Sequence, residues 1–341
     1  ADGAAREEIR EAADALNRRL HGEVVTYVVN RNANFTNVCT TNCSFCGFYR
    51  PPGHPEAYTR TVGAVVERVL QTPWVSEVCL QGGIHPSYDG FTYHGIVAAV
   101  KSAVPDMHVH AFSPLEVHHG ATTLGLSYED YLADLKTAGL ATLPGTAAEI
   151  LSDDIRAIIC PDKVDTQQWL AVMRAAHRVG LKSTATIMFG HVETYDHWAE
   201  HLLQLRWLQA ETGGFTEFVP LPFVHMEAPN WRKGQTRSGP TWREAVLMHA
   251  VARIALDGAI ANIQTSWVKL GPDGAAAMLQ SGANDLGGTL MDESITRAAG
   301  GVNGQIFDVP QMQDLARSLG RPLMERCTIY GQPVGQMAYA D

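Results

Sequence analysis

The sequence predicts a single (β/α)8 barrel of the TIM type, and three observations predict it. Strand-like and helix-like segments alternate along the chain, the pattern of a parallel sheet wrapped by helices. Nearly every strand-like run ends in a polar or glycine-rich loop, and such barrels carry their chemistry at those ends. The 341 residues hold one barrel of about 250 residues with an extension on each side. A Rossmann-like open sheet is the second fold that fits the alternation.

Residues 4–20 repeat Ile9, Ala12, Ala13, Leu16 and Leu20, which reads as an amphipathic helix closing one end of the fold. A β-rich run, Glu23 to Asn30, continues to Asn37. Further strands are read at Glu77–Leu80, Met107–Phe112, Leu140–Leu143, Lys182–Phe189, Thr216–Val219 and Ala261–Trp267, with a short eighth at Asn284–Thr289. Between them, Gln167–Val179 is helical and stops at Gly180, a normal C′ residue. Ser127-Tyr-Glu-Asp130 opens another helix with a capping pattern, and Asp196–Ala210 and Trp242–Leu256 carry 3.6-residue spacing. The expected limits are an N-terminal helical extension over 1–22, the barrel over 23–290, and a C-terminal helical extension over 291–341 packed on it.

A net charge of −10 leaves no basic stripe to neutralise phosphates, so a nucleic-acid partner is not expected. No run of 18 apolar residues is present, and no membrane span is expected. The start lacks both Met and the apolar core of a signal peptide, as a piece of a longer polypeptide would. Of six cysteines, Cys79, Cys160 and Cys327 stand alone and read as small buried hydrophobes. A reducing cytoplasm is the expected compartment.

The other three form Cys39-x3-Cys43-x2-Cys46. An odd number excludes pairing all of them in disulfides. Zinc sites bring paired C-x2-C halves or histidines at helical spacing, and neither is visible. Iron–sulfur clusters take thiolates, normally four. Three would leave one iron open to a ligand. Cluster, zinc and structural use all remain open to the thiols alone, with the cluster favoured.

With Phe45 directly before the last cysteine, the stretch resembles the signature of the radical S-adenosylmethionine (SAM) enzymes. That resemblance implies a [4Fe-4S] cluster on Cys39, Cys43 and Cys46 with SAM chelating the fourth iron. Reduction then gives methionine and a 5′-deoxyadenosyl radical.

Gly82 and Gly83 follow a strand, where glycine admits close approach of a ligand or simply makes a tight turn. The family's corresponding glycine-rich strand end receives the SAM amino group. Glu149 and Arg156 read as one and three turns into a helical region. The resemblance makes them candidates for the SAM ribose and carboxylate, against a solvated helix face. Ser113, ending a strand, is a comparable candidate for SAM or substrate, and Phe45 is the sixth SAM-side residue.

His108 and His110 share one face of their strand. His110, nearer its end, is the candidate catalytic histidine, against a structural one. His191 and Glu193 also share parity and suit proton transfer or a polar substrate. Glu217 is a carboxylate within an apolar strand, where it must face a polar mouth or a cation. Gln264, Trp267, Lys269, Asn284 and Asp285 end the last two strands and are candidate substrate contacts. His118, His119, His201 and His249 read as surface or helix-packing residues.

Longer stretches narrow the resemblance. They include Asn34-Phe-Thr-Asn-Val-Cys39, Pro144-Gly-Thr-Ala-Ala-Glu-Ile-Leu151, Gly213-Gly-Phe-Thr-Glu-Phe-Val-Pro-Leu-Pro-Phe223 and Ile263-Gln-Thr-Ser-Trp-Val-Lys-Leu-Gly271. Together they resemble the tyrosine-dependent component of FO synthase (CofH), or the C-terminal half of fused two-barrel FO synthases. The resemblance implies transfer of the 4-hydroxybenzyl group of L-tyrosine to 5-amino-6-(D-ribitylamino)uracil. It also implies an external electron donor and a ring-closing partner barrel, separate or fused. Two futalosine-route menaquinone enzymes share Tyr49-Arg-Pro-Pro-Gly53 and Gly190-His-Val-Glu-Thr194 and are the nearest rivals. A non-catalytic cluster carrier and a zinc-stabilised barrel are rivals from other classes.

Overall fold

A computed structural model describes residues 3–332. Helix α1 (Gly3–His21) precedes strand β1 (Val25–Val28), which bends at Val29 into β2 (Asn30–Asn34). There follow α2 (Val62–Leu70), β3 (Glu77–Gln81), α3 (Gly90–Ala103), β4 (His108–Ala111), α4 (Pro114–Leu124), α5 (Tyr128–Ala138) and β5 (Leu140–Leu143). Next come α6 (Asp153–Ile159), α7 (Thr166–Arg178), β6 (Lys182–Phe189), α8 (Tyr195–Thr212) and β7 (Phe215–Pro222). The rest is α9 (Pro229–Arg232), α10 (Trp242–Ala255), β8 (Asn262–Ile263), α11 (Trp267–Leu279), β9 (Asp285–Gly288), α12 (Ile295–Ala298), α13 (Val309–Ser318) and β10 (Leu323–Glu325).

Strands β2 to β8 form one parallel sheet in chain order, and β10, β1 and β9 form a second, also parallel. Parallel bridges Gln264–Asp285 and Arg31–Met291 join the two sheets. The ring of strands is therefore continuous, as a (β/α)8 barrel requires. Period-2 alternation puts Val78 and Leu80 of β3, and Ala185, Ile187 and Phe189 of β6, against the helices. The inward set is polar: Glu77, Cys79 and Gln81, Thr184 and Thr186, and Glu217. The barrel thus encloses a chamber where many barrels pack apolar layers.

Helix starts follow their sequence signals. Ser127 caps α5 by accepting from the Asp130 N–H, and Asp89, Ser113, Asp165, Thr241 and Asp308 form capping boxes. Helix α1 lies on the last barrel turns through buried Ala13 and Asn17, whose Nδ2 donates to the Ala283 carbonyl (2.9 Å). Leu20 and Ala12, expected on the packed face, are exposed.

Three expectations change. Strand β7 runs through Pro220 and Pro222 instead of stopping at Val219. Odd residues of β7 face β6, as the Phe223 N–H to Phe189 carbonyl bond shows, whereas Phe218 faces β8. The two prolines therefore turn their missing N–H toward a neighbour that has ended at Ile263. The strand expected over Ala261–Trp267 is only Asn262–Ile263, and Trp267 opens α11. The segment after 290 is not only helical: β10 pairs with β1, and Arg326 beyond it enters the barrel.

Candidate functional site

The loop after β2 carries the thiols, and backbone bonds fix it. Cys39 N–H donates to the Arg50 carbonyl (3.1 Å), Arg50 N–H to Asn37 (2.8 Å) and Thr40 N–H to Ile84 (3.0 Å). Cys39, Cys43 and Cys46 line one cavity of about 250 Å3 with Phe45, Gly82, Gly83, Ser113, Glu116, Glu149 and Lys163. The glycines are required by the cysteine loop itself. A Cβ on Gly83 would lie 2.2 Å from the Val38 carbonyl oxygen and 2.8 Å from Cys39 Cβ, and one on Gly82 would lie 2.3 Å from the Phe35 ring. Their N–H groups donate to Glu116 Oε1 (3.2 Å) and the Thr36 carbonyl (3.0 Å), so an ammonium at this turn meets its carbonyl oxygens.

All six cysteines are free among the described residues, and no group of His, Cys, Asp or Glu there is gathered tightly enough to hold a single metal ion. One zinc ion needs its ligands about 2.3 Å from a point. Three thiols spread around one cavity fit the larger body of an iron–sulfur cluster. Burial pushes the Cys43 and Cys46 thiols up, and nearby Lys163 works the other way. Bound iron would deprotonate them outright. Ile84 N–H donates to Cys39 Sγ (3.3 Å), a contact that tunes a cluster's potential.

Lys163 and Glu116 escaped the sequence reading. Lys163 Nζ pairs with Glu149 and lies 5.2 Å from the Phe45 ring centre. Burial opposes Glu149's charge, but Lys163 more than offsets it and holds the carboxyl below its usual range. Glu149 is not helical: it precedes α6, in the left-handed region at φ 45°. Glu116 accepts from Ser113 N–H and Oγ (both 2.7 Å) and from Gly82, yet burial raises its carboxyl to about 7. The capping pattern Ser113-Pro-Leu-Glu116 was the visible signal for it. Ser113 lines the cavity as that cap.

Arg156 is elsewhere. Its guanidinium is buried and donates to the carbonyls of Ala147, Ala148, Ile150 and Val164. It clamps the loop that carries Glu149 and Lys163 and lines neither cavity, so the expected contact to a SAM carboxylate is corrected to a structural role. His191 and Glu193 line neither cavity, and both side chains are fully buried. Glu193 folds back to accept from Gly190 N–H (2.5 Å), His191 N–H (2.8 Å) and Trp198 Nε1 (3.0 Å). The pair staples the turn after β6.

Below the first cavity lies the barrel chamber, of about 230 Å3. Gln81, Thr146, Leu221, Lys269, Ile295 and Thr296 line both spaces, so the two adjoin. His110 faces the chamber, its Nδ1 2.7 Å from Thr142 Oγ1, and burial lowers its pKa. Lys269 stands where the spaces meet; its Nζ donates to Thr296 Oγ1 (3.3 Å), and burial lowers its pKa. Cys79 lines the chamber and donates to Glu77 (3.0 Å).

The floor is ionic. Arg326 donates to Asp285 through Nε (2.5 Å) and Nη2 (2.9 Å) and reaches Glu217 at 3.1 Å. Tyr330 OH donates to Glu217 (2.5 Å), and the Gln264 amide faces the same carboxylate. One guanidinium between two buried acids cannot satisfy both. Asp285 takes the bidentate contact, and burial, with Asp285 adding to it, raises Glu217 to about 7. Arg326 and Tyr330 carried no local signal.

Of the expected substrate residues, Gln264 and Lys269 line the chamber. Trp267 is buried, its Nε1 donating to the Gly288 carbonyl (2.8 Å), and Asn284 joins Ile263 N–H, Arg253 and Asn262. Both hold strands together and are corrected to structural roles. Asp285, fully buried, holds Arg326 instead of meeting the chamber directly.

The radical SAM superfamily model matches residues 33–205, and that of the CofH/MqnC C-terminal region matches residues 212–331. FO synthase of Nocardia farcinica is 51% identical over 334 residues, covering 97% of this chain and 39% of that protein. The chain thus spans about two fifths of the length of the FO synthases it matches. The 5-amino-6-(D-ribitylamino)uracil–L-tyrosine 4-hydroxyphenyl transferase of Methanocaldococcus jannaschii is 45% identical, covering 95% of this chain and 91% of that protein. Among solved structures, methylornithine synthase (PylB) matches with a TM-score of 0.72 at 17% identity, over 95% of this chain and 90% of that one. HydG of Carboxydothermus hydrogenoformans gives 0.72 at 12% identity, over 98% and 75%. These two show the shared fold. No helix among the described residues is long and apolar enough to cross a membrane. With three cavity thiols for its [4Fe-4S] cluster and an adjoining space for SAM, the chain belongs to the radical SAM superfamily and, within it, to the CofH family.

Proposed function

We propose that this barrel transfers the 4-hydroxybenzyl group of L-tyrosine to 5-amino-6-(D-ribitylamino)uracil, releasing 2-iminoacetate and giving the precursor of the deazaflavin FO. The observation that carries the reading is the match along 91% of the M. jannaschii transferase. The adjoining pair of cavities supports it. When bound, the cluster and SAM supply a hydrogen-abstracting 5′-deoxyadenosyl radical after a one-electron reduction.

The chain's own residues bind and shield. Lys269, a half-buried cation without an ion-pair partner among the described residues, stands where an amino acid's carboxylate would arrive. Asn30, Asn32, Thr184, Thr186 and Gln264 offer amides and hydroxyls to a ribityl chain and a uracil ring. His110, kept neutral by burial, is the proton acceptor facing the chamber. Enclosure keeps water and side reactions away. An external electron donor, a ring-closing barrel that takes the product, and a cytoplasmic setting that keeps the cysteines reduced complete the proposal.

The test is anaerobic reconstitution with iron and sulfide, then incubation with reductant, SAM, L-tyrosine and the diaminouracil. Mass spectrometry should find 5′-deoxyadenosine and a 4-hydroxybenzyl adduct, both lost in Cys43→Ala. Deoxyadenosine without the adduct overturns the substrate assignment; neither product from a loaded cluster overturns the enzyme reading.

A further inference from the structure

A second cleft, of about 440 Å3, lies across Phe48 from the thiol cavity. Arg50, Arg60, Arg68 and Arg297 line it, against a single lining acid, Asp292, while Glu56 outside the lining pairs with Arg50 (2.7 Å). Asp292 is already committed. It pairs with buried Arg31 and with Arg68 (3.1 Å), from a left-handed backbone at φ 65°. Among the described residues no carboxylate lies within ion-pair distance of Arg60 or Arg297. Arg60 Nε donates to the Asn34 carbonyl (3.1 Å) and lies over Tyr58 (4.7 Å), and Arg297 donates to Gln305 (2.9 Å). The Nε groups of Arg31 and Arg68 are buried without an acceptor. In a chain with 36 acidic and 26 basic residues, this is a local inversion of sign.

The cleft and the cysteine loop are one piece of chain. The Arg50 carbonyl accepts from Cys39 N–H, and its Nη1 donates to the Gly47 and Tyr49 carbonyls (both 2.9 Å). Cys79, Cys160 and Cys327 lie apart from one another in the sequence, and no group of His, Cys, Asp or Glu among the described residues is gathered around a single metal position. The described residues therefore hold no relay of their own for an electron to the site.

We propose that this arginine cleft is the docking face for an acidic, low-potential one-electron carrier protein. The carrier loses one electron, and the cluster on Cys39, Cys43 and Cys46 gains it; no bond is made or broken in that step. The inference rests on the proposed function. The rest of the −10 chain repels an acidic carrier, so the cleft fixes its orientation as well as its affinity. Such steering is worth about 10- to 1,000-fold in association rate and fades with salt, over a screening length of about 10 Å at 0.1 M.

The test uses the reconstituted enzyme, Arg60→Gln/Arg297→Gln and, because Arg297 is exposed, Arg297→Glu as a variant safe for folding. The affinity for an oxidised acidic flavodoxin is measured by calorimetry at low and high salt. SAM cleavage is then driven by the reduced flavodoxin or by dithionite. Both variants should weaken binding at least tenfold at low salt, flatten its salt dependence, and slow flavodoxin-driven cleavage alike. Dithionite-driven cleavage should be retained. Unchanged affinity overturns the proposal, as does an equal loss with both reductants. So does a cleft that binds inorganic phosphate tightly while flavodoxin binding ignores the variants. If wild type cleaves nothing with either reductant, the proposed function fails, and the calorimetry still judges the cleft.

Discussion

Replacing Arg326 with Met tests the ionic floor directly. Asp285 is fully buried and, among the described residues, would keep only Thr26 Oγ1 (2.5 Å) and the Gly287 N–H (2.6 Å) as side-chain donors. Glu217 would keep Tyr330 and the Gln264 amide. Removing one partner of a buried ion pair strands the other and costs about 3–5 kcal/mol. At roughly 2–4 °C per kcal/mol for chains of this general size, the melting temperature should fall by about 6–20 °C. The assay is urea unfolding followed by far-UV circular dichroism, with the slope checked for constancy so that the midpoint reports stability. Adding Asp285→Asn to Arg326→Met should recover at least half of the loss, since the stranded charge is then gone. A single-variant loss below about 1 kcal/mol, or no recovery in the double variant, refutes the claim that Arg326 neutralises the floor.

Three more outcomes follow from the site. Glu217 titrates near its ordinary value of 4.5 when unfolded and at about 7 when folded, so the folded state keeps a proton the unfolded state gives up. Its contribution is therefore full below pH 4.5 and is lost as pH rises toward 7, by up to roughly 3 kcal/mol; Glu217→Gln should gain on wild type over that window in unfolding titrations, and parallel curves would contradict the assignment. Gly83→Ala places a methyl against the Val38 carbonyl and Cys39, so bound iron per chain after reconstitution should drop severalfold while circular dichroism stays native; full iron loading would disprove the steric requirement. Arg156→Lys cannot fork to the carbonyls of Ala147, Ala148, Ile150 and Val164. Stability should fall by about 2–4 kcal/mol with SAM affinity of the folded protein kept, whereas a SAM-carboxylate ligand would show the reverse.

Much of the barrel was legible because its signals are local. The strands Leu140–Leu143 and Lys182–Phe189 lie where composition places them, and Ser127 and Gly180 punctuate their helices as side-chain chemistry dictates. The three thiols and the glycine turn were legible for the same reason. Parity along a strand failed for His191 and Glu193, because it gives direction only while the chain stays extended, and the chain turns at Gly190 (φ 95°). The run after Val219 was misread because proline is penalised only on a hydrogen-bonded side, and the length of β8 is a tertiary fact. Lys163 was invisible because its partner Glu149 is 14 residues away across a helix. Arg326 was out of reach altogether, serving acids 41 and 109 residues earlier.

That separation bears on the order of assembly during synthesis. Glu217 and Asp285 emerge before Arg326 and, among the described residues, have no other guanidinium lining the chamber to meet. At roughly 5–20 residues per second, they wait for seconds, protonated or open to water. Strand β10, which brings Arg326 in, docks on β1 about 300 residues upstream, a closure whose loop entropy makes it slow. The ring can curl early, but its floor is laid last, and the nascent barrel passes through a state whose interior is still wet.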